Sequence, residues 1–378
     1  MTADTTRTAS PDGHWGVYGQ TSAVASLQHA IASGRLAHAY LFSGPEGIGK
    51  ATLARRLAQA LVCEASPGLL ADDDAGRGDA ASAGEVRPCL VCRACTQVEA
   101  GTSPDIERIT VGGICDEGGA GHRDHSADGS TRIRICQVRR LERVASLTPY
   151  QSPRRVFIID TADELQREAA HALLKTLEEP PASVLLIMLA TDIDALLPTV
   201  RSRCQEIALR PMSHRALAEV LSTDGGMDPA TARALAEESH GRYGLAMRLH
   251  TDPSLGMLRE TAMLDAARIA AGGRNERFDY AATLAGRWSR ERLSVLETLE
   301  VWRGWWRARL VEAGCTPDLA QCSAPDALRA LRAVTRARTH LLENTYPQLA
   351  LEVMMLDLPV LAADGIREEA REPAVSPA

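Results

Sequence analysis

Apolar residues are arranged in two kinds of run along the first two hundred positions. Tyr40-Leu41-Phe42, Val156-Phe157-Ile158-Ile159 and Val184-Leu185-Leu186-Ile187-Met188-Leu189-Ala190 are short and continuously apolar, as strands buried on both faces are. The third follows Pro180-Pro181, which fits a central strand entered from a turn. Longer amphipathic segments lie between them, so an α/β unit with a parallel sheet covered by helices is predicted from Val17 to about Leu209. After Arg210-Pro211 the pattern becomes helical throughout, in a short block to about His250 and a longer one from about Asp252 to Ala362. The predicted domains are therefore 15–209, 210–250 and 252–362.

Two stretches interrupt the pattern. Residues 64–88 and 112–130 are rich in Gly, Ala, Asp and Ser and are expected to be solvated loop insertions with no core to bury. Residues 1–14 are polar and are expected to be a disordered tail, and residues 364–378, charged and broken by prolines, a frayed one.

Composition narrows this picture. Among 378 residues only 4% are aromatic, which favours Leu/Ala-packed helices over a β-sandwich. A formal charge of -7 gives no overall basic field for coating nucleic acid. No run of about 18 apolar residues occurs, and the first fourteen lack an apolar signal core, so a soluble, cytoplasmic chain without a membrane partner is expected. In that compartment nine cysteines point to metal ligation or buried thiols rather than disulfides.

Candidate chemistry begins at Gly44-Pro45-Glu46-Gly47-Ile48-Gly49-Lys50, which follows a strand and opens a helix with Leu53, Leu57, Ala60 and Leu61 on one face. Consecutive backbone N–H groups at such a turn cradle phosphate, and Lys50 adds a point charge. The full pattern places Ser or Thr after the lysine to hold Mg²⁺. Here that residue is Ala51, and Thr52 lies about 100° further around the helix. Asp160, at the end of its strand, suits a magnesium ligand, but Thr161 stands where a hydrolysing ATPase places a glutamate. The next acids, Asp163 and Glu164, read as helix-start residues complementing the macrodipole.

Cys89, Cys92 and Cys95 are three residues apart, and Cys63 at the end of the phosphate-loop helix supplies a fourth thiol. Four thiolates match the closed shell of a structural Zn²⁺. Cys115, His122, His125 and Cys136 are set aside as a second metal set, because a glycine-rich loop offers them no fixed geometry. The segment from Thr191 to Cys204 ends in Arg201 and Arg203. A guanidinium there can make a planar, two-pronged contact with a neighbour's nucleotide, although the pattern alone is better explained by a surface ion pair. Trp302, Trp305 and Trp306, interleaved with Arg303, Arg307 and Arg309, have the spacing of a buried helix seam rather than of a base-stacking platform.

His38-Ala39-Tyr40-Leu41-Phe42, the phosphate loop, the cysteine cluster, Leu147-Thr148-Pro149-Tyr150, the run from Ala172 to Pro181 and Ser202-Arg203-Cys204 occur in the order found in bacterial clamp-loader subunits. Over residues 17–250 the chain resembles this AAA+ family, most closely its delta-prime branch in DNA polymerase III. The resemblance implies an AAA+ sheet domain over 15–209 with a zinc module at 63–95, a helical lid over 210–250, and an oligomerising collar over 252–362. It implies gamma/tau ATPase and delta subunits as partners in a five-membered ring that places the sliding clamp on primed DNA, and association with the nucleoid through the replisome. Gly44, Gly47, Gly49, Lys50, Ala51, Thr52 and Asp160 would form a nucleotide site, vestigial because Ala51, Thr161 and Gly244 stand at the positions of the magnesium hydroxyl, the catalytic acid and the sensor arginine. Retention of ATP and Mg²⁺ without turnover stays open. Arg203 would be a finger given to the adjacent ATPase, so catalysis would belong to the polymerase holoenzyme rather than to this chain. The 25 residues between Cys63 and Cys89 exceed the family's spacer. Two alternatives are an active gamma/tau-like ATPase, favoured by Lys50 and Asp160, and a zinc-dependent DNA-binding protein, which the acidic charge disfavours.

Overall fold

The computed structural model describes residues 15–65, 86–115, 125, 130–315, 322–342 and 345–361. The tails at 1–14 and 364–378 lie outside these residues, as does most of both insertions. The chain divides into two compact units, residues 1–250 and 251–378.

The first unit is built on five parallel strands, β1 (Ala39–Ser43), β2 (Ile106–Ile109), β3 (Arg155–Ile159), β4 (Val184–Ala190) and β5 (Gln205–Ala208), in the order β2-β3-β4-β1-β5. β4 is the middle strand and all seven of its residues are buried, which explains its unbroken apolar run. Alternate side chains along it go to opposite faces. Leu185, Ile187 and Leu189 join Tyr40, Phe42, Val156 and Ile158 in one core, with α1 (Thr21–Ala32) and α2 (Lys50–Val62). Leu186, Met188 and Ala190 join Leu41, Phe157 and Ile159 in the other. That second core is covered by α4 (Ile135–Ala145), α5 (Arg167–Glu178) and α6 (Pro198–Arg201). A parallel sheet with helices on both faces is the AAA+ type of arrangement that the resemblance implies. The short helix α3 (Arg93–Glu99) follows the cysteine cluster and packs on α2 through Gln59, whose Nε2 donates to Cys95 O at 2.9 Å. After the sheet come α7 (His214–Thr223), α8 (Pro229–Glu238) and α9 (Tyr243–Thr251).

Two edge elements escape an apolar-run criterion. β2 (Ile-Glu-Arg-Ile) and β5 (Gln-Glu-Ile-Ala) are four-residue strands carrying charge, as exposed sheet edges do. Asp163 and Glu164 differ from their sequence reading. They lie in a 3-10 turn (Ala162–Glu164), both buried, and α5 starts only at Arg167. Thr161 precedes that turn in left-handed backbone (φ 57°), which stops the chain from entering a helix directly.

Asp105, buried just before β2, fixes the segment around Tyr150. Its carboxylate accepts N–H bonds from Tyr150 (2.6 Å), Gln151 (2.7 Å) and Ser152 (2.9 Å), and Arg155 pairs with it at 3.4 Å. Burial alone would raise its pKa, but the three amides and the guanidinium hold it below the usual carboxylate range.

The second unit contains α10 (Pro253–Ala271), α11 (Arg274–Trp288), α12 (Arg292–Cys315), α13 (Ala324–Leu342) and α14 (Pro347–Asp357). Trp302, Trp305 and Trp306 are buried in its core; Trp302 Nε1 donates to Ala262 O at 2.9 Å, and Arg309 lies over the Trp305 ring at 3.4 Å. Rings so enclosed are unavailable to nucleic-acid bases. Arg277, 5% exposed, closes the other side of the unit. Its guanidinium donates to Ile269 O, Ala270 O, Met355 O, Leu358 O and Pro359 O at 2.7–3.2 Å. Those carbonyls end α10 and α14, where unpaired acceptors and the negative ends of two macrodipoles favour a buried cation.

Removing that cation strands the carbonyls of Met355, Leu358 and Pro359, since Ile269 O and Ala270 O also accept from Gly272 N (3.2 Å) and Leu361 N (3.0 Å). Arg277→Met is therefore expected to cost about 3 kcal/mol or more in urea unfolding of the full chain, because each unsatisfied buried acceptor costs about 1–3 kcal/mol. Arg277→Lys, with three donors, should recover less than half. A loss below about 1 kcal/mol for Arg277→Met would assign the carbonyls to solvent.

Candidate functional site

Three groups of polar residues stand out: the first lies where the parallel strands finish, and the other two lie near the edge where strands begin. The first is the phosphate loop between β1 and α2. Lys50 opens α2, and its Nζ donates to Gly44 O (2.5 Å), Pro45 O (3.1 Å) and Thr191 Oγ1 (3.2 Å). The ammonium thus ties the loop to the exit of β4. Burial pushes its pKa below the ordinary lysine value, against the raising effect of Asp163, Glu46 and Asp160.

Helix α9 rests on this loop. Gly244 N donates to Gly47 O at 2.8 Å, Arg242 Nη1 reaches Glu46 O at 3.5 Å, and Arg248 pairs with the Glu46 carboxylate at 2.7 Å. A Cβ on Gly244 would stand 2.7 Å from Gly47 O, and one on Gly47 would stand 2.8 Å from Leu245 N. Gly47 also has φ of 76°. Both glycines are required by the close approach of two backbones. Tyr18 and Tyr243 pack beside them with ring centroids 4.4 Å apart.

Asp160 leaves β3, where its carboxylate pairs with Arg108 of β2. Thr161 Oγ1 donates back to Asp160 O at 2.5 Å, so no acid stands at that position. Asp163 Oδ2 accepts from the N–H groups of Thr191 (3.3 Å) and Asp192 (3.2 Å), and Glu164 pairs with Arg132 at 3.7 Å. These two acids tie β3, β4 and the approach to α4 together. A helix-start role missed this because their partners are distant in sequence. Ala51 and Thr52 follow Lys50 in the first turn of α2.

The second group is the cysteine centre. The Sγ atoms of Cys63, Cys89, Cys92 and Cys95 all lie within 4.8 Å of one another despite the long spacer. Cys89 N donates to Cys63 Sγ (3.4 Å), Cys92 N to Cys89 Sγ (3.3 Å) and Cys95 N to Cys92 Sγ (3.4 Å). Leu90 takes left-handed backbone (φ 64°) within the knuckle. Burial pushes the Cys63 and Cys95 thiols up. At Cys89 burial acts the same way but is outweighed by N–H donors from Val91 and Cys92, which bring it down to about 7. A tetrahedral shell with metal–sulfur bonds of about 2.3 Å needs sulfurs roughly 3.8 Å apart. The four sulfurs, all within 4.8 Å of one another, are close enough for such a shell to form around an ion, so the group could hold a metal ion. Of the set-aside residues, Cys115, His125 and Cys136 are also brought together, with donor atoms within 4.8 Å, whereas His122 lies outside the described residues.

The third group is the turn after α6. Arg203 is about one third exposed; its Nη2 pairs with Glu178 at 2.7 Å and its Nη1 donates to Thr199 O at 2.9 Å. Arg201 pairs with Glu206 (3.3 Å) and Asp194 (3.7 Å). Both arginines are surface ion-pair residues in the single chain.

The family described as "DNA polymerase III, delta subunit" matches residues 19–213, just over half of the chain. DNA polymerase III subunit gamma of Buchnera aphidicola is 30% identical over 240 residues, 62% of this chain and 56% of that protein. DNA polymerase III subunit delta' of Bacillus subtilis is 30% identical over 210 residues, 56% of this chain and 53% of that protein. The chain spans from 30% to 56% of the length of these and other curated relatives it matches. Among solved structures, the Thermotoga maritima RuvB Holliday junction branch migration motor aligns over 97% of this chain and 98% of its own, with 16% identity and a TM-score of 0.42. Among the described residues no helix is long and apolar enough to cross a membrane. By the match that runs from the entry to α1 through the phosphate loop, the cysteine centre and the Arg203 turn, the chain belongs to the DNA polymerase III delta-subunit family.

Proposed function

We propose that this chain is a delta-prime-like stator of a bacterial clamp loader, a subunit that keeps the nucleotide fold without turning over ATP and lends Arg203 to an adjacent gamma/tau-type ATPase. The observation that carries this reading is the Gly244–Gly47 contact. At the position of a sensor arginine there is room only for hydrogen, because a Cβ would stand 2.7 Å from the loop carbonyl. Ala51 and Thr161 remove the magnesium hydroxyl and the water-orienting acid as well. The first unit would comprise the AAA+ domain (15–209) and lid (210–250), and the second the ring-forming collar (252–362). The ring would act in the cytoplasm on the sliding clamp and primed DNA. The relatives include gamma and tau subunits, so the competing reading is an active ATPase.

The cysteine centre in this reading holds one structural Zn²⁺ through Cys63, Cys89, Cys92 and Cys95. Four thiolates close the shell and leave no position for water. The metal would clamp the end of α2 to the start of α3.

Arg203 suits a finger because its present partner is weak. An ion pair as exposed as Arg203–Glu178 contributes about 0.2–1 kcal/mol, so a neighbour's phosphate can displace it readily.

The isolated chain is expected to hydrolyse ATP no faster than Lys50→Ala, with circular dichroism used to verify that the variant is folded. Turnover that disappears only in Lys50→Ala would assign the chain to the active ATPases. Metal analysis of Cys92→Ser should show one zinc fewer per chain and a lowered Tm; unchanged metal and Tm would make these free thiols. In the assembled ring, Arg203→Ala should leave the fold intact and reduce clamp- and DNA-stimulated turnover by about the share of one site, since a finger in trans is worth roughly 10³ or more at the site it serves. Arg203→Lys should rescue poorly and Arg201→Ala should be milder. Unaltered stimulated turnover in Arg203→Ala rings would leave the chain a passive scaffold.

A further inference from the structure

We propose that Cys115, His125 and Cys136 form a second metal site, separate from the four-cysteine centre, and that it takes a zinc ion. Two of the residues, Cys115 and His125, lie in the 112–130 stretch after β2, and Cys136 lies in the first turn of α4. Their exposures are 2%, 1% and 4%, and their donor atoms all lie within 4.8 Å of one another.

The frame around them is built by other contacts. His125 N donates to Gly113 O (3.3 Å), which pins His125 beside the exit of β2. Gln137 Nε2 donates to Thr110 O (2.9 Å), and Gln137 Oε1 accepts from Arg134 N (3.0 Å) at the entry to α4. Gly113 leaves no space for a side chain, since a Cβ would stand 2.9 Å from Thr110 O. Two chain segments are thus held at fixed separation with their soft donors facing the same point.

Charge and donor type select the ion. Two thiolates, one neutral imidazole and a divalent cation sum to zero, the least costly way to bury four polar groups. Thiolate with imidazole is a zinc donor set, whereas Mg²⁺ and Ca²⁺ require oxygen. His125 Nε2 and Cys136 Sγ are 2.9 Å apart, a thiol–imidazole hydrogen bond. Binding zinc releases the thiol protons to solvent, after which nitrogen and sulfur each bond to the ion at about 2.0 and 2.3 Å. The ion would close the excursion between β2 and α4, next to the edge where Ile109 O accepts the N–H of Asp160 at 2.8 Å.

The experiment is zinc counting on the full chain and its variants by mass spectrometry, after equilibration with Zn²⁺ alone and removal of excess. Cys136→Ser and His125→Ala should each lose one zinc relative to the parent, and Cys136→Ser/Cys92→Ser should lose one more than Cys92→Ser does. A zinc that follows Cys136 and not Cys92 supports this site even if the four-cysteine centre holds none, so the two assignments fail separately. Cobalt-substituted Cys92→Ser chain should show thiolate-to-cobalt charge transfer that disappears on adding Cys136→Ser. Equal zinc in the parent and in folded Cys136→Ser, or no cobalt band that depends on Cys136, would overturn the site and leave a buried thiol–imidazole pair.

Discussion

Parallel pairing is the constraint from which the chemistry of the first unit follows. Every strand of a parallel sheet ends at the same edge, and here the registers Ser43↔Ala190, Ser43↔Ala208, Ile159↔Met188 and Ile109↔Ile159 align those ends. The phosphate loop therefore emerges beside Thr191, Asp160 beside β2, and the excursion that carries Cys115 from the same side. The sheet is held in place by burial of β4 on both faces. At about 1.5–3 kcal/mol for each large side chain removed from water, its Val, Leu, Ile and Met residues outweigh any polar contact at the edge. Ligand groups at the edge are positioned by a core that they do not themselves stabilise.

The contacts of the phosphate loop and of the Arg203 turn differ in strength, and the difference sorts fixed parts from movable ones. Where α9 meets the phosphate loop, a backbone hydrogen bond is backed by steric exclusion, because neither Gly47 nor Gly244 tolerates a side chain. Arg242 adds a buried guanidinium that donates to Ser239 O at 2.9 Å as well as reaching Glu46 O. Arg203 and Glu178 meet in solvent, where screening and side-chain entropy cancel most of their attraction. The α9 contact, made through backbone, is the firmer of the two, whereas the exposed Arg203–Glu178 pair, backed by the bond to Thr199 O, is the more easily exchanged.

Central strands, the phosphate loop and the tryptophan seam were legible in the sequence because each has a short period or a short spacing. Leu53, Leu57 and Leu61 repeat every four residues, and Trp302 with Trp305 and Trp306 marks one helix face. The edge strands were not legible, since Glu107, Arg108 and Glu206 break any apolar run. Nor were the buried polar ties. Asp105 finds its donors 45 to 47 residues away, and Arg277 reaches carbonyls 78 to 82 residues away as well as nearby ones. The convergence of Cys115, His125 and Cys136 was hidden for the same reason: irregular spacing in a glycine-rich stretch says nothing of the Gly113 and Gln137 contacts that bring the ends together. Four cysteines with three at regular spacing could be grouped from sequence, but only the fold brings Cys63 across its spacer to Cys89.

Lys50 shows how a residue of the nucleotide pattern can be held by structural contacts whether or not the site turns over. In this chain its ammonium has three oxygen partners, two on its own loop and one at the end of β4, so it already closes the strand edge as a structural tie. Deleting it would leave two loop carbonyls and the Thr191 hydroxyl to find new donors in a partly buried place, a cost independent of any phosphate. Retention of the lysine is then equally compatible with a working and a silent site. Ala51 and Thr161 discriminate better. A methyl group at 51 can make no polar contact at all, and the Thr161 hydroxyl is turned onto the carbonyl of Asp160. Ala51 and Thr161 hold no tie between strands, whereas the lysine joins the loop to the end of β4, so structural cost alone favours keeping the lysine.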